Sequence, residues 1–142
     1  MEWDQYFVEM AQLVAKKSKD RSTKVGCVIV GPNREVRTTG YNGFCRGIND
    51  HDDSRHERPE KYFWTEHAER NAIYNAARNG ISLEGCTAYT TLVPCADCTR
   101  GLIQSGVKRI MFCSGEANEK WTESFQRSLT MAREAKVEMS VV

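Results

Sequence analysis

Apolar residues at Tyr6, Phe7, Met10, Leu13 and Val14 recur at helical spacing, which predicts a helix from Trp3 to about Lys17. The period then changes. VGCVIVG (Val25–Gly31) is a short β-branched run that predicts a buried strand, PNRE turns the chain, and EVRTTGYN alternates as the hairpin partner. The polar stretch Gly47–Tyr62 shows neither period and is long for a loop, which points to a lid or to disorder. TEHAERNAIYNAARNG returns to helical spacing, with Ala68, Ala72, Ile73, Ala76 and Ala77 apolar and Gly80 as a stop signal. CTAYTTL predicts a strand, PCADCTRGLIQSG a helix, VKRIMFC a strand, Lys120–Ala135 a last helix and VEMSVV a closing strand. A hairpin followed by alternating helices and strands predicts a three-layer α/β/α domain with a mixed sheet over residues 1–142.

Composition narrows the function classes. Twenty basic against 19 acidic residues leave a net charge of +1 with no single-sign run, which argues against binding to polymeric nucleic acid. No stretch approaches the roughly 20 apolar residues of a membrane span, and MEWDQYFVEM lacks the pattern of a signal peptide, so a cytoplasmic location is expected. Six cysteines in such a chain are read as thiols or metal ligands rather than as a disulfide framework.

Two stretches bring in chemistry. HAE (His67–Glu69) stands at the expected start of one helix, and PCADC (Pro94–Cys98) at the start of another. Pro94 suits a first helical position, where its missing N–H costs nothing. Cys95 and Cys98 then share a helical face near the positive end of the helix dipole, which favours the metal-binding thiolate. With His67 they make three ligands suited to tetrahedral zinc, the fourth position being left for water. Residues two apart do not share a face in mid-helix, so His67 and Glu69 belong at a first turn, with Glu69 beside the metal as a base. Either half alone has an ordinary reading: a redox pair or half a structural zinc site, or plain helix surface. Together they form the His-x-Glu and Pro-Cys-x-x-Cys signature of zinc nucleobase deaminases.

The chain resembles the deoxycytidylate (dCMP) deaminases of the zinc-dependent cytidine/deoxycytidylate deaminase family. The resemblance rests on KSKDRSTKVGCVIV, TGYNGFCRG, HAERNAIYNAARNG, PCADC and IQSGVKRIMF. It implies the cytidine-deaminase-like fold with a five-stranded sheet, one catalytic zinc, and hydrolysis of dCMP to dUMP and ammonia for thymidylate synthesis. Whether dCTP is also accepted is left open. Glu69 is expected to move the proton from water to N3 of cytosine and then to the departing amino group. The resemblance further implies a hexamer, activated by dCTP and inhibited by dTTP with Mg2+. The effector would bind at the glycine-rich loop of Tyr41, Gly43 and Arg46, with Arg78 nearby. Relatives usually carry proline where this chain has Cys45, a departure that bears on allosteric control and not on the chemistry.

Asn42 resembles an asparagine that holds the sugar, and Ala68 is small enough to let the base pack; turn-forming and core-filling are their alternatives. Arg21, Ser22, Thr23 and Lys24, at the junction of the first helix and strand, suit a phosphate, with a solvated turn as the alternative. Cys45, His51 and His56 offer three ligands where a closed second zinc site needs four. Cys27, Cys86 and Cys113 are expected in the core, and Tyr62-Phe63-Trp64 in the core or an interface. Two other classes stand beside this reading: a deaminase of another nucleoside or base, and a catalytically silent zinc module, for which Glu69 would have no use.

Overall fold

The computed structural model describes residues 1–113 and 119–142. The chain opens with helix α1 (Trp3–Ala15) and the hairpin of strands β1 (Gly26–Val30) and β2 (Val36–Tyr41). Strand β3 (Gly43–Phe44), a 3-10 turn over Asp53–His56, the single-turn helix α2 (Lys61–Trp64) and strand β4 (Thr65–Glu66) lead into helix α3 (Ala68–Arg78). Then β5 (Thr87–Thr90), α4 (Ala96–Gln104), β6 (Arg109–Phe112), α5 (Glu119–Glu134) and β7 (Glu138–Val141) alternate. The main sheet has the order β2-β1-β5-β6-β7. It is mixed: β1 runs antiparallel to β2 and β5, while β5, β6 and β7 are parallel.

Both faces of the sheet are covered, and for that reason β1 is buried at every position instead of alternating. Val28, Val30, Tyr89 and Met111 pack on Phe7, Val8 and Ala11 of α1. Cys27, Ile29, Ala88 and Ile110 face the other layer, filled by Ala72 and Ala76 of α3, Leu102 of α4 and Ala132 of α5. The three-layer α/β/α architecture expected from the sequence is therefore present.

The buried stripe of α1 differs from the expected one. Leu13 is 65% exposed, whereas Ala11 and Ala15 are buried. The cause is Gly26, where a Cβ would lie 2.1 Å from the Ala11 carbonyl oxygen; α1 sits so close to β1 that only small side chains fit between. Gly40 does the same for α3, since a Cβ there would come within 2.4 Å of Ala68 O and Ala72 N. Thr38 Oγ1 donates to Ala72 O, Asn71 Nδ2 to Tyr41 O and Asn75 Nδ2 to Thr39 O, which fastens α3 along β2. Gly26 pairs with Tyr41, Gly40 with Cys27, and Cys27 with Thr90, so both close approaches lie at the sheet end where β5 stops. That end carries the site.

The polar segment Gly47–Tyr62 is ordered structure rather than a loose lid. Asp52 caps the 3-10 turn by accepting from Ser54 N–H, and α2 follows. Strands β3 and β4 pair in a second, two-stranded sheet, too short for any sequence period to reveal. The aromatic run is not core: Phe63 is 83% exposed, and Trp64 carries the Arg55 guanidinium over its ring at 3.9 Å. Cys27 and Cys86 are buried as expected, while Cys113 is only half-buried. Among the described residues no helix is long and apolar enough to cross a membrane.

Candidate active site

His67 is the N-cap residue of α3, in extended backbone, and Glu69 lies in the helix's first turn with 4% of its surface exposed. This is the arrangement that the two-residue spacing demands. Cys95 is the N-cap residue of α4, its Sγ accepting from Cys98 N–H. Pro94 therefore stands one place before the cap and not, as expected, at the first helical position. The sulfur takes the part usually played by a hydroxyl or carboxylate at such a cap. Helix α5 holds this turn in place. Ser124 Oγ accepts from Ala96 N–H at 2.8 Å, and the Ser128 hydroxyl donates to Pro94 O while accepting from Thr99 Oγ1.

His67 Nδ1 lies 3.5 Å from Cys95 Sγ and 3.4 Å from Cys98 Sγ. No other His, Cys, Asp or Glu group of three or more among the described residues brings its donor atoms so close together. Zinc bonds of about 2.0–2.3 Å in tetrahedral geometry separate neighbouring donors by roughly 3.6 Å, close to both His67–cysteine distances.

The protonation pattern fits the same purpose. The bond from Cys98 pulls the Cys95 thiol down to about 4, against burial and with help from His67. The bond to Cys95, followed by burial, pushes Cys98 up. The same Cys95 sulfur raises His67. The trio thus holds protons that a divalent cation displaces on binding. Burial pushes the Glu69 carboxyl up, opposed by Cys98 and His67, the direction an acid–base residue requires. Glu66 Oε1 accepts from His67 N–H and from Arg70 Nε at 2.7 Å, and Arg70 reaches Asp97 Oδ2 at 3.7 Å, which links the two helix starts.

Residues 1–114, which contain His67, Glu69, Cys95 and Cys98, match the family described as the cytidine and deoxycytidylate deaminase zinc-binding region. The chain belongs to this family. It is 40% identical over 141 residues to a protein of Aliivibrio fischeri described as an uncharacterized deaminase, covering 97% of this chain and 92% of the other. It is 35% identical over 124 residues to human deoxycytidylate deaminase, covering 84% of this chain and 68% of that one. The fold is that of the dCMP deaminase from cyanophage S-TIM5 (TM-score 0.78, 23% identity, 98% of this chain and 96% of the other).

The remaining deaminase-site expectations gather at the same sheet end. Ala68 is fully buried, beside Gly40. Asn42 is also buried, and both ends of its amide are engaged by backbone: Oδ1 accepts from Val25 N–H at 2.8 Å and Nδ2 donates to Thr23 O at 2.9 Å. It braces the Asp20–Val25 segment. On that segment Arg21, Ser22, Thr23 and Lys24 are exposed, and Arg21 pairs with Asp53 at 2.8 Å. Gly26 at the segment's end exchanges hydrogen bonds with Thr91, four residues before Cys95.

Tyr41, Gly43 and Arg46 line a cavity of about 240 Å³ together with Lys17, Lys19 and His56, whereas Arg78 lies outside that lining at the exposed end of α3. Cys45, His51 and His56 do not converge on a metal position. His56 stacks on Phe44 at 4.8 Å, and its Nε2 lies 2.6 Å from Asp50 O. Sequence reasoning passed over Lys61, Asp20, Glu66, Arg70, Ser124 and Ser128, all of which hold other residues in place. The four-residue spacing of Ser124 and Ser128 and the turn-forming Asp20 were the available signals.

Proposed function

We propose that this protein is a cytoplasmic hydrolase that deaminates dCMP to dUMP and ammonia, supplying dUMP for thymidylate synthesis. The observation that carries the reading is a buried Glu69 beside a His67, Cys95 and Cys98 donor triangle of zinc dimensions. A structural zinc site has no use for that carboxylate. Zinc held by the three ligands would supply a water of strongly lowered pKa. Glu69 is placed to take a proton from the attacking water and give it to N3 of cytosine as the water oxygen bonds to C4. It then takes that oxygen's remaining proton and gives it to the amino group as the C4–N bond breaks. Burial around Glu69 keeps bulk water from competing for the proton.

Recognition of a nucleotide rather than a nucleoside is assigned to Arg21, Ser22 and Lys24 on the segment that Asn42 braces, with Asn42 and Ala68 bordering sugar and base. A dCMP deaminase of the same fold has been seen with dCMP and dUMP bound. Ammonia release should therefore be far faster from dCMP than from deoxycytidine or adenosine. Lys24→Ala should raise KM for dCMP about tenfold or more with kcat little changed, because a remote charged contact contributes uniform binding. Deoxycytidine or adenosine proving the better substrate would overturn the reading.

The reading extends to a homo-hexamer regulated by dCTP and dTTP with Mg2+. The cavity by Tyr41, Gly43 and Arg46, of about 240 Å³, is small for a triphosphate, and a neighbouring subunit would enlarge it into an effector site. Tyr74 and Phe63 offer exposed apolar surface for that contact. Light scattering at micromolar concentration should give a hexamer, and the dCMP saturation curve should change from sigmoidal to hyperbolic with dCTP, a coupling of about 1–3 kcal/mol. A monomer would discard the assembly. A hyperbolic curve indifferent to both triphosphates would discard the switch and leave the hexamer.

A further inference from the structure

Three ion pairs join the Lys19–Arg21 stretch to the polar segment that ends in α2: Lys19 with Asp50, Arg21 with Asp53, and Lys61 with Asp20. The first two each have a largely exposed partner and contribute little. The third is different, because the Lys61 and Asp20 side chains keep only 10% and 7% of their exposure. Charges withdrawn so far from water persist only when paired and fully hydrogen-bonded.

Asp20 meets that condition. Its Oδ1 accepts from Ser22 N–H at 2.9 Å, Thr23 N–H at 3.0 Å and Lys61 Nζ at 3.1 Å, and Oδ2 lies 3.0 Å from Lys61 Nζ. Asp20 N–H donates to Ser18 Oγ, which itself donates to Asn42 O. The Arg21–Lys24 turn is thus wound around one carboxylate, and a single ammonium neutralises it.

Lys61 also opens α2, which runs directly through β4 to His67. The pair therefore ties the turn to the strand that delivers the first zinc ligand.

We propose that Lys61 is a positioning residue for nucleotide recognition, acting through Asp20 to hold the Arg21–Lys24 turn in the form that receives the substrate phosphate. The proposal rests on the assignment of that turn to the phosphate. Its electrostatic content is specific: without the ammonium, an uncompensated carboxylate at the base of the turn opposes a dianionic phosphate.

The test uses the full, zinc-loaded enzyme. Lys61→Met should raise KM for dCMP about tenfold or more, leave kcat and zinc content within about twofold, and leave kcat/KM for deoxycytidine unchanged. Lys61→Arg should restore the KM. Adding Asp20→Asn to Lys61→Met removes the stranded charge while keeping an oxygen for the Ser22 and Thr23 N–H groups, so KM should return to within about threefold of the unsubstituted enzyme. The double variant also serves if Lys61→Met alone does not fold. Equal losses with dCMP and deoxycytidine, or a double variant no better than Lys61→Met, would overturn the proposal. Failure of the underlying phosphate assignment shows separately, in the unsubstituted enzyme, as deoxycytidine serving as well as dCMP.

Discussion

Glu69→Gln should keep its zinc and its fold yet turn over dCMP about 10²–10⁴ times more slowly, the usual contribution of a positioned acid–base. The substitution is nearly isosteric, and at 4% exposure the side chain has little room to relocate. An amide there can still accept a hydrogen bond from its neighbours but cannot carry one proton from water to N3 and a second from the added oxygen to the leaving amino group. Two transfers are lost together, which is why the loss should reach the upper part of that range. Metal analysis and circular dichroism confirm that site and fold persist, and ammonia release reads the effect. Near-normal turnover would remove Glu69 from the mechanism and revive the silent zinc module as the alternative.

The parts of the site legible in sequence are those fixed by covalent spacing and helix starts. His67 and Glu69 are expected at a first turn, where positions two apart can converge, and Cys95 and Cys98, three apart, at a second helix start. Both motifs do stand at helix starts, and His67, Cys95 and Cys98 cluster. The sheet was readable for a similar reason, since a strand covered on both faces gives the unbroken run GCVIV. The missed features depend on long-range contacts. Close packing at Gly26 and Gly40 shifted the buried face of α1 toward alanines, which a search for bulky apolar residues overlooks. The segment Gly47–Tyr62 has no periodic pattern, because ion pairs, an Asp52 cap and an aromatic stack order it, with no apolar stripe. Lys61 looked like any surface lysine; that it is buried follows only from where Asp20 sits, 41 residues earlier. The place of Asn42 in GYNG suggested the sugar, but not that both ends of its amide also brace Thr23 and Val25.

Cys98→Ala should lose the metal and essentially all activity, and it should do so by a route that can be told apart from misfolding. Cys98 is fully buried with His67 Nδ1 3.4 Å from its sulfur, so no exposed side chain is placed to substitute for it. Zinc per chain should fall from close to one to near zero. A ligand that binds only the folded state adds stability by mass action, about 2.7 kcal/mol at a hundredfold excess over its dissociation constant; the variant should therefore melt at the lower temperature of chelated wild-type protein. The two then part: adding zinc should restore melting temperature and turnover to the chelated wild type but not to Cys98→Ala. Cys95→Ala makes a further distinction. Its sulfur also caps α4 by accepting from Cys98 N–H, and loss of a helix cap costs about 0.5–2 kcal/mol. Even without metal, Cys95→Ala should melt below the chelated wild-type protein, because the Cys95 sulfur serves the helix as well as the ion. A fully active preparation without zinc would defeat the metal assignment, and equal metal-free melting temperatures would defeat the capping role of Cys95.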